Sequence, residues 1–183
     1  MEDKALEFAR EAHGDQLRKY GDEPYIQHPI RVAGLVRTVP HTTEMICAAY
    51  LHDVVEDTPV SIRDIQRKFG QKVALLVDEL TDEYVKEKYP HLNRRKRKEK
   101  EVVRQSNISK AAKTIKLADV IDNTRDIIQN DLGFARRYIP EMAALTEALQ
   151  GGNFRLFLKA CYEVQRGLYV LNNDRPVSGR NVK

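Results

Sequence analysis

At 183 residues, with 42% hydrophobic and 32% charged side chains, the chain has the length and composition of one soluble domain with its own core. Its 31 basic and 27 acidic residues leave a net charge of only +4, so charge alone dictates no polyanionic partner. No apolar run approaches the ~20 residues of a membrane span, and the charged, helical opening MEDKALEFAREAH is unlike a secretory leader, which points to the cytoplasm.

In chain order nearly every segment reads as helix, so the expected fold class is all-α. One domain is expected over residues 1–172, with a flexible tail at 173–183. A first helix over 3–19 places Ala5, Phe8, Ala9 and Ala12 on one face. YGDEPYIQHP then breaks it with Gly21, Pro24 and Pro29, forming a loop that delivers His28 to a fixed place. A helix from about Pro29 to Val36 follows. Thr42 or Thr43 caps the next, which runs to about Asp57, and Pro59 stops it. Ser61 and Asp64 have the spacing of a capping box and open a helix that Gly70 closes.

QKVALLVDEL turns Val73, Leu76, Val77 and Leu80 inward. After it come a polar loop over 82–93 and a basic helix over 94–105. A strong helix is expected over 109–128, then two more over 134–149 and 153–171, separated by Gly151 and Gly152. Cys47 and Cys161 lie in apolar helical patterns and read as buried free thiols. Neither GxxxxGK[ST] nor GxGxxG occurs, so any phosphate chemistry proceeds without a glycine cradle.

The segment YLHDVVEDTP concentrates the polar chemistry. On a helix, His52 and Glu56 stack four apart, as do Asp53 and Asp57. Three carboxylates this close raise one another's pKa unless a cation sits among them. His28 and Asp119, the latter in IKLADVIDN, complete a mixed nitrogen and oxygen donor set suited to Mn, Fe, Co or Zn. Taken singly, His28 reads as an ordered loop histidine and Asp119 as a helix-surface acid; only the set points to a metal. His13, His41 and His91 have no ligand-like neighbours. The run RRKRK at 94–98 reads as a solvated helix end, a nucleic-acid contact or a site for a small phosphate ligand.

His28, His52, Asp53 and Asp119, in that order on a helical background, resemble the HD superfamily of metal-dependent phosphohydrolases. AHGDQLRKYGDEPYIQHPIRVA, AAYLHDVVEDT, FGQKVALLVDELTD and IKLADVIDNTRDI are similar to the hydrolase domain of the RelA/SpoT alarmone enzymes. Over residues 3 to 170 the chain most resembles the stand-alone small alarmone hydrolases, including the animal Mesh-type enzymes. That resemblance implies an HD-type helical bundle with a central Mn2+ site, and removal of the 3′-pyrophosphate of ppGpp or pppGpp to leave GDP or GTP. It implies metal ligands His28, His52, Asp53 and Asp119. Glu56 and Asp57 would activate the attacking water and handle protons. Arg18 and Lys19 would pack on the guanine side, Asn123 at the ribose and Tyr138 beside the sugar.

Arg94, Arg97 and Lys98 are candidates for the pyrophosphate, with Arg94 and Lys98 preferred. Two departures from the family pattern stand out. The RKYGDEPYI loop is one residue longer than in the bifunctional enzymes, and Phe134 stands where some relatives carry a phosphate-contacting arginine. The expected partner is a small guanine nucleotide rather than nucleic acid or membrane; the oligomeric state is left open. Competing readings are a phosphatase acting on another ribose phosphate such as NADPH, a non-catalytic nucleotide sensor, and a nucleic-acid binder.

Overall fold

A computed structural model describes residues 1–19 and 22–174. Among these residues the chain is all-α, with one isolated bridge between Leu17 and Pro24. Helix α1 (Glu2–His13) buries Ala5 and Ala9 but stops at His13, short of the expected residue 19. Gly14, at φ +50°, takes a positive-φ conformation that is cheap only for glycine, and its N–H closes the helix on the Arg10 carbonyl. Beyond it the chain doubles back: Arg18 N–H donates to the Glu23 carbonyl at 2.9 Å, and Tyr25 N–H to that of Gln16 at 2.8 Å.

Helix α2 (Gln27–Arg37) begins earlier than the prolines predict, so His28 lies in its first turn rather than in the loop. Pro29 is tolerated there because the first helical N–H groups lack intrahelical acceptors anyway. The expected helix from Thr42 to Asp57 divides into α3 (Thr43–Leu51) and α4 (Val54–Asp57). Thr42 caps α3 through a bond from Met45 N–H, and every residue from Met45 to Leu51 is buried. Val54 is still fully buried, whereas Glu56 and Asp57 are exposed, so the chain passes from core to surface within α4.

Ser61 and Asp64 form the reciprocal capping box of α5 (Ile62–Phe69), and Gly70, at φ +86°, turns the chain into α6 (Gln71–Leu80). The irregular segment after α6 is pinned to α7 (Arg94–Gln105) by buried Glu101, which accepts the N–H groups of Glu83 and Tyr84 at 3.0 Å each. Helix α8 (Lys110–Asn130) is the central strut. It packs on α2, α3, α6, α9 (Leu132–Ala148) and α10 (Phe154–Asn173). Its Ile115, Leu117, Ala118 and Ile121 are fully buried; each large aliphatic side chain contributes about 2 kcal/mol on burial. Gly167 lets α10 come close, since a Cβ there would lie 2.7 Å from Ile128 Cδ1 and 3.1 Å from Ile139 Cδ1.

Cys47 is buried as expected, whereas Cys161 is only half-buried. The expected tail starts inside α10, which continues to Asn173; its residues after Asp174 lie outside the described ones.

Candidate metal centre and catalytic cleft

Three helical segments deliver four potential ligands to one point. His28 comes from the first turn of α2, His52 and Asp53 from the break between α3 and α4, and Asp119 from the middle of α8. His28 Nε2 lies 3.2 Å from Asp119 Oδ1 and 3.5 Å from Asp53 Oδ2. His52 Nε2 lies 3.2 Å from Asp53 Oδ2 and 3.8 Å from Asp119 Oδ1. Ligand atoms of His28, His52 and Asp119 all fall within 4.8 Å of one another.

Both Nε2 atoms are buried and neither makes a hydrogen bond despite the nearby carboxylates. They are close enough to those carboxylates to share an ion with them. Each imidazole is held through its other nitrogen. His28 Nδ1 meets Asp122 Oδ2 at 2.7 Å, and His52 Nδ1 meets the Ala49 carbonyl at 2.9 Å. Both of those oxygens can only accept, so each Nδ1 carries a hydrogen and each Nε2 is turned inward as the atom that would meet an ion. This donor set fits a divalent transition metal.

A cleft opens beside these groups, with Tyr25, Glu56, Asp82, Lys98, Lys116 and Tyr138 in its wall. Asp53, Asp119 and Asn123 also line it.

The family profile described as HD domain matches residues 5–140. The chain belongs to the HD-domain family. It is 35% identical over 175 residues to the mouse (Mus musculus) guanosine-3′,5′-bis(diphosphate) 3′-pyrophosphohydrolase MESH1, a match covering 90% of this chain and 94% of that one. The human (Homo sapiens) protein of the same name is 34% identical over 177 residues, covering 91% and 95%. A solved structure described as a metazoan ortholog of SpoT that hydrolyses ppGpp and plays a role in starvation responses matches with a TM-score of 0.80. It is 34% identical and the match covers 91% of this chain and 96% of that one.

Within this HD domain the expected site residues fall into two groups. Asp53, Glu56, Lys98, Asp119, Asn123 and Tyr138 face the cleft, over the buried His28 and His52. Asp57, Arg18, Lys19 and Arg94 stand outside its wall. Asp57 accepts a hydrogen bond from Gln16 Nε2 at 3.0 Å. Arg18 is buried and bound to Asp126 Oδ2 at 2.7 Å and to Asn123 Oδ1 at 2.8 Å, while Asn123 Nδ2 donates to Asp119 Oδ1. Lys19 Nζ and Arg94 Cζ lie 5.2 Å and 5.7 Å from the Phe134 ring centre, and Phe134 packs 5.8 Å from Tyr138.

The basic run of the HD domain sits at the N-terminus of α7, where the helix dipole disfavours cations. Acids offset that cost. Arg94 makes a two-point pair with Glu141, Arg95 pairs with Glu99 and Lys98 with Asp82, while Arg97 donates to the Leu92 carbonyl.

Charge in the cleft is balanced by a residue that motif reading passed over. Lys116, one turn before Asp119, is largely buried beside it with Nζ 3.1 Å from Asp119 Oδ2. Burial opposes its charge, but Asp119, Asp82, Glu56 and Asp53 outweigh that and hold the ammonium well above its usual pKa. Burial likewise opposes the Asp119 carboxylate, yet Lys116 and the two imidazoles keep it well below the carboxylate range. Glu56 is the contrary case. The residue is solvent-accessible, but its carboxylate is desolvated in the cleft and lies near Asp82 and Asp53, which lifts its pKa to about 7 against the pull of Lys116. Its Oε1 accepts the Asp82 N–H at 2.7 Å.

Two further residues were not singled out in the sequence, and a third was set aside there. Tyr25 donates to Asp53 Oδ2 at 2.6 Å, and Asp122 grips His28. His13, read as an ordinary helix histidine, is buried against Tyr25 at 4.7 Å between ring centres and reaches Asp57 through Gln16. Tyr25 and Asp122 both lie within motif segments already quoted; their contacts span 28 and 94 positions in the chain and leave no local pattern.

Proposed function

We propose that the protein is a Mn2+-dependent 3′-pyrophosphohydrolase of ppGpp and pppGpp, acting in the cytoplasm on this small guanine nucleotide. The observation that carries this reading is the convergence of His28, His52, Asp53 and Asp119 beneath a cleft bearing a carboxyl group with pKa about 7. Similarity to the MESH1 enzymes over nearly the whole chain supports the substrate.

In this reading His28, His52, Asp53 and Asp119 hold the metal. When bound there, a divalent ion supplies a Lewis acid that makes a water nucleophilic near neutral pH and offsets phosphate charge. Glu56 takes a proton from the attacking water. The water oxygen forms a bond to the phosphorus attached to O3′, the P–O3′ bond breaks, and O3′ acquires a proton as pyrophosphate leaves. Asp57, steadied by Gln16 at the edge of the site, exchanges these protons with solvent.

Charge neutralisation, more than covalent chemistry, governs phosphoryl transfer. Lys98 in the cleft wall and Arg94 beside it serve the pyrophosphate, next to the positive end of α7. Asn123 and Tyr138 receive the sugar. Arg18 sets the Asn123 amide and, with Lys19, borders the guanine side.

The deciding experiment incubates purified protein with Mn2+ and ppGpp or pppGpp and follows pyrophosphate release. Release that EDTA abolishes is the expected result. Metal-loaded protein that turns over neither nucleotide would overturn the reading.

A further inference from the structure

The two candidate imidazole ligands are supported unequally. The Nδ1–H of His52 donates to a neutral acceptor, the Ala49 carbonyl within its own helix. That of His28 donates to a carboxylate on another helix, Asp122, at 2.7 Å. Asp122 is itself clamped: its Oδ1 accepts from Arg31 Nε at 2.7 Å, and Arg31 Nη1 donates to both oxygens of Glu23 at 2.8 Å.

The pattern has a simple helical origin. His28 and Arg31 stand one turn apart on α2, and Asp119 and Asp122 stand one turn apart on α8. A single imidazole therefore spans one turn of α8, with Nε2 towards Asp119 and Nδ1 on Asp122. His28 and Asp122 are both buried, so water competes poorly for the Nδ1–H.

We infer that Asp122, clamped by Arg31 and Glu23, is a positioning residue that fixes the tautomer and orientation of His28 and makes it the stronger imidazole donor to the metal. The inference rests on the metal-centre reading above. A carboxylate acceptor polarises the ring N–H and raises electron density at the opposite nitrogen, and losing such a partner typically costs about 10–100-fold in metal affinity. None of Arg31, Asp122 and Glu23 lines the cleft beside the candidate ligands, so the effect is read directly on metal retention.

The test titrates the full-length, metal-stripped protein with Mn2+ and reads free Mn2+ by electron paramagnetic resonance. Asp122→Asn keeps an acceptor of the same shape but removes the charge. It is expected to weaken Mn2+ binding about tenfold or more, with the far-ultraviolet dichroism of the wild type. Arg31→Met leaves the Asp122–His28 bond in place but releases the clamp, and is expected to shift affinity in the same direction by less. This variant stands alone should Asp122→Asn fold poorly. Wild-type affinity in the folded variants would overturn the inference and leave the metal centre intact. Wild-type protein that binds no Mn2+, or His28→Ala that binds it normally, would overturn the metal-centre reading and this inference with it.

Discussion

Asp119 divides its carboxylate between two cations-in-waiting: Lys116 Nζ lies 3.1 Å from Oδ2, while Oδ1 faces the His28 Nε2 at 3.2 Å. The lysine thus neutralises the acid without entering the ligand cluster. Replacing it by methionine keeps its bulk and strands Asp119, Asp82 and Glu56 in a buried, negatively charged cleft. Breaking a buried pair in this way costs on the order of 3 kcal/mol. Lys116→Met is expected to unfold at correspondingly lower denaturant concentration when metal-free, with Mn2+ restoring part of the loss. An unshifted midpoint would show that the lysine is not the site's counter-ion.

Glu56 is expected to set the pH dependence. With its pKa lifted to about 7, it becomes a competent base only as pH rises, and a bound cation nearby lowers that midpoint. The kcat/KM profile should therefore climb to a plateau, with the rising limb at or below about pH 7. Glu56→Gln should flatten the limb and lower kcat by about 10²–10⁴-fold while retaining the metal. Loss of metal in that variant would make Glu56 a ligand instead. Stability follows the opposite trend. The raised folded-state value favours the fold below the ordinary 4.5, and that advantage disappears as pH rises through about 7.

Metal and protons compete at the two imidazoles. Burial disfavours the charged ring of His52, but Asp53 and Asp119 prevail and raise its pKa to about 9; His28 shifts the same way. The metal-free protein therefore holds a proton on the His52 ring at pH 7, and an incoming ion must displace it. For His52 the stabilising contribution in the metal-free protein is complete below pH 6.5 and fades as pH rises through 9. Calorimetric titration with Mn2+ at pH 7 in two buffers of different ionisation enthalpy should reveal proton release, with affinity rising towards pH 9. Identical heats in both buffers would exclude the exchange.

Lys98 and Arg94 distinguish substrate contact from surface charge. Lys98 faces the cleft, whereas Arg94 is joined to Glu141 beside it. Charge reversal at Lys98 is expected to lower kcat/KM by at least about tenfold, roughly 1.4 kcal/mol of transition-state stabilisation. Reversal at Arg94 should cost less, since part of its effect is repulsion from Glu141. Unchanged kcat/KM in both variants would return the basic run to a purely structural role.

Much of this arrangement was legible in the sequence because the polar residues interrupt otherwise apolar helices. His52, Asp53 and Glu56 sit within one short segment, and Asp119 lies in a helix whose other central residues are core-forming. Helix ends with a local chemical cause, such as the Ser61–Asp64 capping box and Gly70, could also be placed. What escaped depends on contacts far apart in the chain. Nothing near Arg18 announces its pairing with Asp126, 108 positions away, and Asp122 looks like a second surface acid until His28 arrives from α2. The break at His52–Asp53 escaped for another reason. Apolar periodicity continues through Val54 and Val55, which still pack in or against the core, so the pattern carries no mark of the break.

That break has a consequence for how the enzyme tolerates change. The last residue of α3 and a candidate ligand are consecutive, Leu51 and His52, and every α3 residue from Met45 onward is buried. No flexible spacer insulates the chemistry from the interior. A methyl group added or removed around Ala48 or Ala49 would be transmitted to the imidazole without a joint to absorb it. Turnover is therefore expected to follow core packing, and variants selected for higher activity should map into the interior of α3 as readily as onto the cleft.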